Sequence, residues 1–318
     1  FDLKKCLMCG IVGLYLKKSE LQIQLGKLFK PMLVEMSSRG PDSAGVAIYR
    51  NQVKAGQTKF SLAHIDPGFS WKKLGTDLAA SLQCDVYIKV IGTHCILVTD
   101  SQEDLVVKWL NEIKIEQYAS SNKNISSKIR IVGSGESIEI FKETGSPEKV
   151  YDQFNLGQSS GTHMIGHTRM ATESAVTTAG SHPFATGADL CLVHNGSLSN
   201  HNIIRRNLER EGIRFQTEND TEVAGAYLTW KLRSGSTLRQ ALEDGIRELD
   251  GFYTFCIGTK DGFAVVRDPI ACKHAVLAET DKWVAMATEF RAIANLPGAE
   301  NAEIWEPEPS TIYIWGEE

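Results

Sequence analysis

No apolar run in this sequence approaches the roughly 20 residues that span a bilayer, so no membrane-crossing helix is expected. Basic charge is also short. With 34 Lys and Arg against 39 Asp and Glu, the net charge is −5, the wrong sign for a general nucleic-acid-binding surface. Cysteine is sparse and irregular. The seven residues are an odd number and their spacing suggests no disulfide framework, which points to a reducing compartment and a cytoplasmic location. Cys6 and Cys9 have CxxC spacing, but no second Cys pair or Cys/His pair lies nearby, so no metal or redox site is expected. Residues 1–7 are too short for a secretory signal and lack its architecture. Gly133 and Gly135 lack the rest of a dinucleotide fingerprint. There is no nucleotide loop, flavin-barrel pattern, iron–sulfur Cys cluster, internal repeat or low-complexity segment. The remaining composition, 42% hydrophobic and 23% charged over 318 residues, is that of an ordinary globular protein of one large domain or two small ones.

Five stretches stand out against that background. They are Cys9-Gly10-Ile11-Val12-Gly13, Arg39-Gly40-Pro41-Asp42-Ser43, His167-Thr168-Arg169-Met170-Ala171-Thr172, His194-Asn195-Gly196 and Asn219-Asp220-Thr221-Glu222. A thiolate attacks an amide carbonyl well, but a free thiol is mostly protonated at neutral pH and needs a base. No His sits beside Cys9. The economical base is the cysteine's own α-amine, with a pKa of about 7.7–8.0, if Cys9 becomes the first residue. The alternative is a buried core thiol at a strand start. Arg169 offers a rigid fork for a substrate carboxylate, with Thr172 beside it; the alternative is a surface ion pair. Attack on an amide also creates an oxyanion, and each fixed donor to it is worth roughly 10²–10³ in rate. The Asn195 side chain and the Gly196 N–H suit that task, although Asn-Gly is also a common plain turn. Asp220 could serve a ligand or cap a helix.

Cys-Gly-Ile-Val-Gly followed by Arg-Gly-Pro-Asp-Ser-Ala-Gly resembles the class II glutamine amidotransferases, which are N-terminal-nucleophile hydrolases. Among them the sequence most resembles the glutaminase subunit related to the amidotransferase domain of glutamate synthase. Stand-alone chains of that kind occur in N-methylglutamate synthase. The resemblance runs from Met8 to about Trp315 and is loosest between about Gln52 and Gln158. It implies an α+β fold, a four-layer αββα sandwich, in one domain over residues 9–318. It implies hydrolysis of L-glutamine through a thioester on Cys9, with Asn195 and Gly196 as the oxyanion hole. It implies that Arg169 and Thr172 bind the α-carboxylate, Asp220 binds the α-ammonium, His182 borders the glutamine and Arg39 supports the site. The alternative for Arg39 is an ion pair with Asp42 or a helix end. Met170 stands where the family often has an aromatic, so an aromatic lid contact is not expected there. No cofactor is expected in this chain; FMN and iron–sulfur clusters would belong to a separate glutamate synthase-like subunit that receives the ammonia.

Residues 1–8 precede the proposed nucleophile and are read as a prefix or propeptide. While they remain, the Cys9 nitrogen is an amide and cannot act as a base. The rivals are a non-catalytic regulatory or scaffold subunit with Cys9 blocked, and an N-terminal-nucleophile amidase acting on another amide.

The patterning predicts a strand after Cys9, an amphipathic helix over 20–38 despite Pro31, and a strand over 43–49. The stretch 86–99 reads as one strand and 103–118 as a helix. Residues 129–132 and 138–141 read as a strand pair, and a helix starts near Ser146-Pro147. Strands follow at 164–168 and 190–193, and helices at 200–211, 221–232 and 237–249. The end is β-rich, and Pro307 and Pro309 exclude a central strand there. His163 and His167 are read as core hydrogen-bonding residues. The 52–158 region is either an insertion that completes one sandwich face or a docking surface.

Overall fold

Strand β1 (Gly10–Leu16) explains the layering. Successive side chains of a strand point to opposite faces, so a strand buried on both sides is apolar throughout. Ile11 packs into a core between two sheets, while Val12, Leu14 and Leu16 pack against helices outside. The computed structural model describes residues 9–120, 128–170 and 176–316; the prefix 1–8 lies outside them.

In chain order the elements after β1 are α1 (Leu25–Glu35), β2 (Ser43–Tyr49), β3 (Thr58–Ala63), α2 (Trp71–Leu82), β4 (Val86–Ile91), β5 (His94–Thr99), α3 (Glu103–Glu112), β6 (Arg130–Gly135) and β7 (Ile138–Thr144). Next come α4 (Pro147–Gln153), β8 (His163–Arg169), β9 (Phe184–Gly187), β10 (Leu190–Leu198), α5 (His201–Arg210), α6 (Asp220–Arg233) and α7 (Leu238–Glu248). The chain closes with β11 (Gly251–Gly258), β12 (Gly262–Arg267), β13 (Val276–Glu279), β14 (Trp283–Ala287), β15 (Glu303–Trp305) and β16 (Ile312–Gly316).

A seven-stranded antiparallel sheet runs β15-β13-β14-β1-β8-β2-β7, and a five-stranded one runs β16-β12-β11-β10-β9. Their facing sides share a core that includes Ile11, Ile165, Val193, Cys256, Phe263 and Met286. Helices α1 and α4 cover the outer face of the first sheet with Phe29, Met32, Val150 and Tyr151. Helices α5, α6 and α7 cover the second with Leu208, Val223, Tyr227 and Leu242. This is the four-layer αββα sandwich. A separate four-stranded sheet, β4-β5-β3-β6, stands beside it. Trp71, Leu74 and Leu78 of α2, with Val106 and Leu110 of α3, pack on it around a core of its own.

Several expectations need correction. The helix over 20–38 is three pieces, because 3-10 turns at Ser19–Gln24 and Met36–Ser38 flank α1. Pro31 lies inside α1 without ending it. The stretch 86–99 is a hairpin, since Gly92 takes φ +58° and folds β4 back onto β5. β6 and β7 are not partners: β6 pairs with β3 and β7 with β2, which splits that short connection between two sheets. The 52–158 region therefore does two things: residues up to β6 build a side layer, while β7 and α4 extend the first sheet and its outer cover. β3 and α2 carried no signal that the patterning caught.

Candidate active site

The register brings the candidate residues to one end of the sandwich. β1 and β8 are antiparallel, with Gly10 opposite Thr168 and Ile11 opposite His167. One step further, Cys9 falls opposite Arg169. Alternation then assigns faces. On β1, Cys9 shares parity with Ile11; on β8, Arg169 shares parity with Ile165; on β10, Asn195 shares parity with Val193. Ile11, Ile165 and Val193 all face the inter-sheet core. Cys9, Arg169 and Asn195 thus point into the same mouth between the sheets. A cross-sheet bond fixes the depth: His167 Nε2 lies 3.0 Å from the carbonyl oxygen of His194. As a carbonyl only accepts, that ring nitrogen carries the proton.

Close backbone approach holds Cys9 in place. A Cβ on Gly10 would lie 2.7 Å from Met36 Cβ and 2.8 Å from Thr168 Oγ1, so only glycine lets β1 enter there. Ile11 N–H donates to Thr288 Oγ1 at 2.8 Å, and Thr288 N–H returns a bond to Ile11 O at 2.9 Å. Arg39 Nε donates to the Cys9 carbonyl at 3.3 Å, and its Nη1 pairs with Glu289 at 2.5 Å. The ion-pair partner of Arg39 is thus Glu289 rather than Asp42. Burial pushes the Cys9 thiol up; a backbone hydrogen bond from Met170 and the charges of Arg169 and Lys273 pull it down.

Arg169 Nη1 donates to Gly180 O at 3.2 Å, tying the strand end to the loop before His182. Thr172 lies outside the described residues. His182 is buried, its ring stacked on His167 with centroids 3.9 Å apart. Its Nε2 is 2.7 Å from Thr221 Oγ1. Burial holds His182 well below the usual imidazole range and His167 at about 3, so both rings are neutral at pH 7.

The Asn-Gly pair is not a turn. β10 continues through it, with Asn195 opposite Thr254 and Gly196 opposite Tyr253. Gly196 takes φ +146°, and a Cβ there would lie 1.9 Å from Phe252 O, so glycine is required. Asn195 Nδ2 is buried and finds no hydrogen-bond partner among the described residues. The same holds for His167 Nδ1, His182 Nδ1 and His194 Nε2.

Asp220 does not cap its helix. Asn219 does, accepting from Thr221 N–H at 2.8 Å. The Asp220 carboxylate instead accepts from Leu198 N–H at 3.0 Å and lies 3.6 Å from His194 Nδ1. Burial alone would raise its pKa, but the His194 hydrogen bond and charge, the Leu198 amide and His201 outweigh that and hold it at about 2. A thiol, a guanidinium and a bare amide donor at one mouth, with an ionised carboxylate bonded to the end of the same strand β10, can bind an amino acid by both ends and attack its side chain.

The residues that sequence reasoning missed are Glu289, Thr288, His194 and Thr221. Glu289 and Thr288 meet Arg39 and Ile11 across some 250 and 277 residues of chain, so no local signal existed. His194 and Thr221 lay inside quoted motifs, next to the residues that drew attention.

The profile of the glutamine amidotransferase domain matches residues 167–295. The glutamine amidotransferase-like protein GlxB of Rhizobium meliloti (strain 1021) is 52% identical over 309 residues, covering 97% of this chain and 98% of that protein. The chain belongs to the glutamine amidotransferase family. A glutamine–fructose-6-phosphate aminotransferase of Vibrio cholerae is 29% identical over 150 residues, 47% of this chain and 23% of that enzyme. Among solved structures, the glutamine phosphoribosylpyrophosphate amidotransferase of B. subtilis superposes with TM-score 0.60 at 19% identity, covering 97% of this chain and 47% of that one. The likeness is one of fold, and it matches the sandwich of this amidotransferase.

Proposed function

We propose that this glutamine amidotransferase is a glutaminase subunit that hydrolyses L-glutamine through a γ-glutamyl thioester on Cys9. Residues 1–8 are a removable prefix, and residues 9–318 form the glutaminase domain. The observation that most supports this is the buried Asn195 Nδ2 with no partner, on a strand whose parity aims it into the mouth that Cys9 faces. An unpaired buried donor costs about 1–3 kcal/mol, a cost that a donor awaiting a transition-state oxygen justifies.

The chemistry follows from the groups present. Cleavage before Cys9 frees its α-amine, which takes the thiol proton. Sulfur attacks the γ-carbonyl carbon, and the oxyanion meets Asn195 Nδ2 and the Gly196 N–H. Collapse breaks the C–N bond, and ammonia leaves with the proton held by the amine. Water then gives a proton to the same amine and attacks the thioester, releasing glutamate and restoring the thiol. Arg169 and Thr172 hold the α-carboxylate, Asp220 holds the α-ammonium, His182 borders the substrate, and Arg39 supports the Cys9 carbonyl. Ammonia passes to a separate glutamate synthase-like subunit in the cytoplasm, of the N-methylglutamate synthase type, where any FMN or iron–sulfur cluster resides. This part rests on the sequence resemblance.

The test is the glutamine hydrolysis rate of two versions, one beginning at Phe1 and one at Cys9. Activity only in the second supports the free-amine mechanism. Equal activity with the prefix retained by intact mass means that another base serves Cys9. Silence in both, with the partner subunit added, favours the scaffold reading. Failure to co-migrate with any synthase subunit in gel filtration counts against the partner.

A further inference from the structure

Thr221, the second residue of α6, is fully buried between two imidazoles. Its hydroxyl oxygen is 2.7 Å from His182 Nε2 and 3.1 Å from His194 Nδ1. It is 3.5 Å from Asp220 Oδ1, at the limit of hydrogen bonding. A hydroxyl has one proton to give and two lone pairs to receive. It can therefore satisfy both rings by giving its proton to one and receiving from the other, or by receiving from both and giving its proton to Asp220 Oδ1, which at 3.5 Å is much the poorer acceptor.

The surroundings decide which. His194 Nδ1 lies 3.6 Å from the Asp220 carboxylate, which is ionised and accepts only. A proton on His194 Nδ1 is therefore favoured, and Thr221 receives it. The Thr221 proton then has one good acceptor left, His182 Nε2. A neutral imidazole with a bare Nε2 carries its proton on Nδ1. His182 Nδ1 is the atom that is buried and partnerless among the described residues. His167, stacked on the same ring, is committed to His194 O and does not compete for it.

We infer that Thr221 is a positioning residue whose hydroxyl locks His182 in its Nδ1–H form, leaving that N–H as a donor for a carboxylate oxygen of the bound amino acid. The polarity runs from His194 Nδ1–H beside Asp220, through the Thr221 hydroxyl, to His182 Nε2. Asp220, at the ammonium end of the clamp, thereby sets the state of His182. The inference rests on the glutamine site proposed above and adds the group that orients it.

The experiment uses the full chain with Cys9→Ser, which can bind glutamine without turnover. Ring-nitrogen NMR on histidine-labelled protein reads the tautomers directly, and calorimetry reads the Kd for L-glutamine. The expected result is Nδ1–H at both His182 and His194. Thr221→Val should shift His182 away from that form and weaken glutamine binding roughly 10-fold, the loss of one well-placed hydrogen bond. Thr221→Ser, which keeps the hydroxyl, should restore both. His182 found as Nε2–H in the parent overturns the inference even if the Val variant does not fold. An unchanged tautomer and Kd in a folded Val variant overturn it too. If the parent does not bind glutamine at all, the substrate assignment falls, while the tautomer readout still decides the role of Thr221.

Discussion

The mouth of the sandwich and the four-stranded side layer are built on opposite terms. The side layer is an ordinary small core: Phe60, Leu62, Leu74, Leu78, Leu97 and Val106 are fully buried against one another. Its buried Asp66 carboxylate is answered by Gly68 N–H and by the Ser120 amide and hydroxyl. The mouth instead keeps Asn195 Nδ2, His167 Nδ1, His182 Nδ1, His194 Nε2 and Arg39 Nη2 buried without partners among the described residues. Unmade hydrogen bonds are costly, and although others are scattered through the fold, His94 Nε2 of the side layer and Arg205 Nε among them, five fall at this one mouth.

That contrast can be broken by substitution. Cys9→Ser should lower glutamine hydrolysis by at least about 10³-fold, as expected for loss of a nucleophile. Its melting temperature should not fall, because the half-buried thiol belongs to none of the hydrophobic cores. Asn195→Ala should lower kcat by roughly 10²–10³ with little change in KM. Loss of stability in step with activity would show the Asn195 amide to be structural. In the side layer, Leu97→Ala should cost about 2–5 kcal/mol in denaturant unfolding, the usual penalty for a cavity at a fully buried leucine. At temperatures where the variant stays folded, its KM for glutamine should match the parent. A raised KM would mean that the two regions are coupled.

The same contrast decided what the sequence could reveal. Cys9, Arg169, Asn195 and Asp220 sit in short motifs whose chemistry is local, and strand parity then carried the first three to one mouth. β1, β2, β8 and β11 were legible because buried strands read as apolar runs. The side layer was legible only in pieces: β4 and β5 read as one strand, and α3 and β6 were caught, but β3, which carries Lys59 and Ser61, was missed. Lys59 is tolerated there because its Nζ donates to the Ser137 carbonyl and to Glu139 on β7, each at 3.2 Å, partners 78 and 80 residues on. The Asn195-Gly196 pair looked like a turn because the strand that straightens it, β11, arrives 59 residues after Asn195, at Thr254.

Lys142 gives the finest test, because it is buried yet belongs to the scaffold around the mouth. Its Nζ donates to Ser181 O at 2.8 Å and to Pro183 O at 3.1 Å, and it sits 4.5 Å over the Phe184 ring. It therefore holds the segment that carries His182. Burial drives its pKa down from 10.5 to about 7, with Arg130 pushing the same way and the Glu222 carboxylate only partly opposing. Between those two values the unfolded chain binds the extra proton, so the contribution of this site to stability rises with pH. Lys142→Met has no such group. The melting temperature of the parent relative to the Met variant should thus climb as pH goes from about 7 toward 10, and stay level below 7. A difference that stays constant from pH 6 to pH 9.5 would mean that Lys142 keeps its full charge in the interior. The mouth would then rest on a buried cation rather than on a neutral amine that merely bonds two carbonyls.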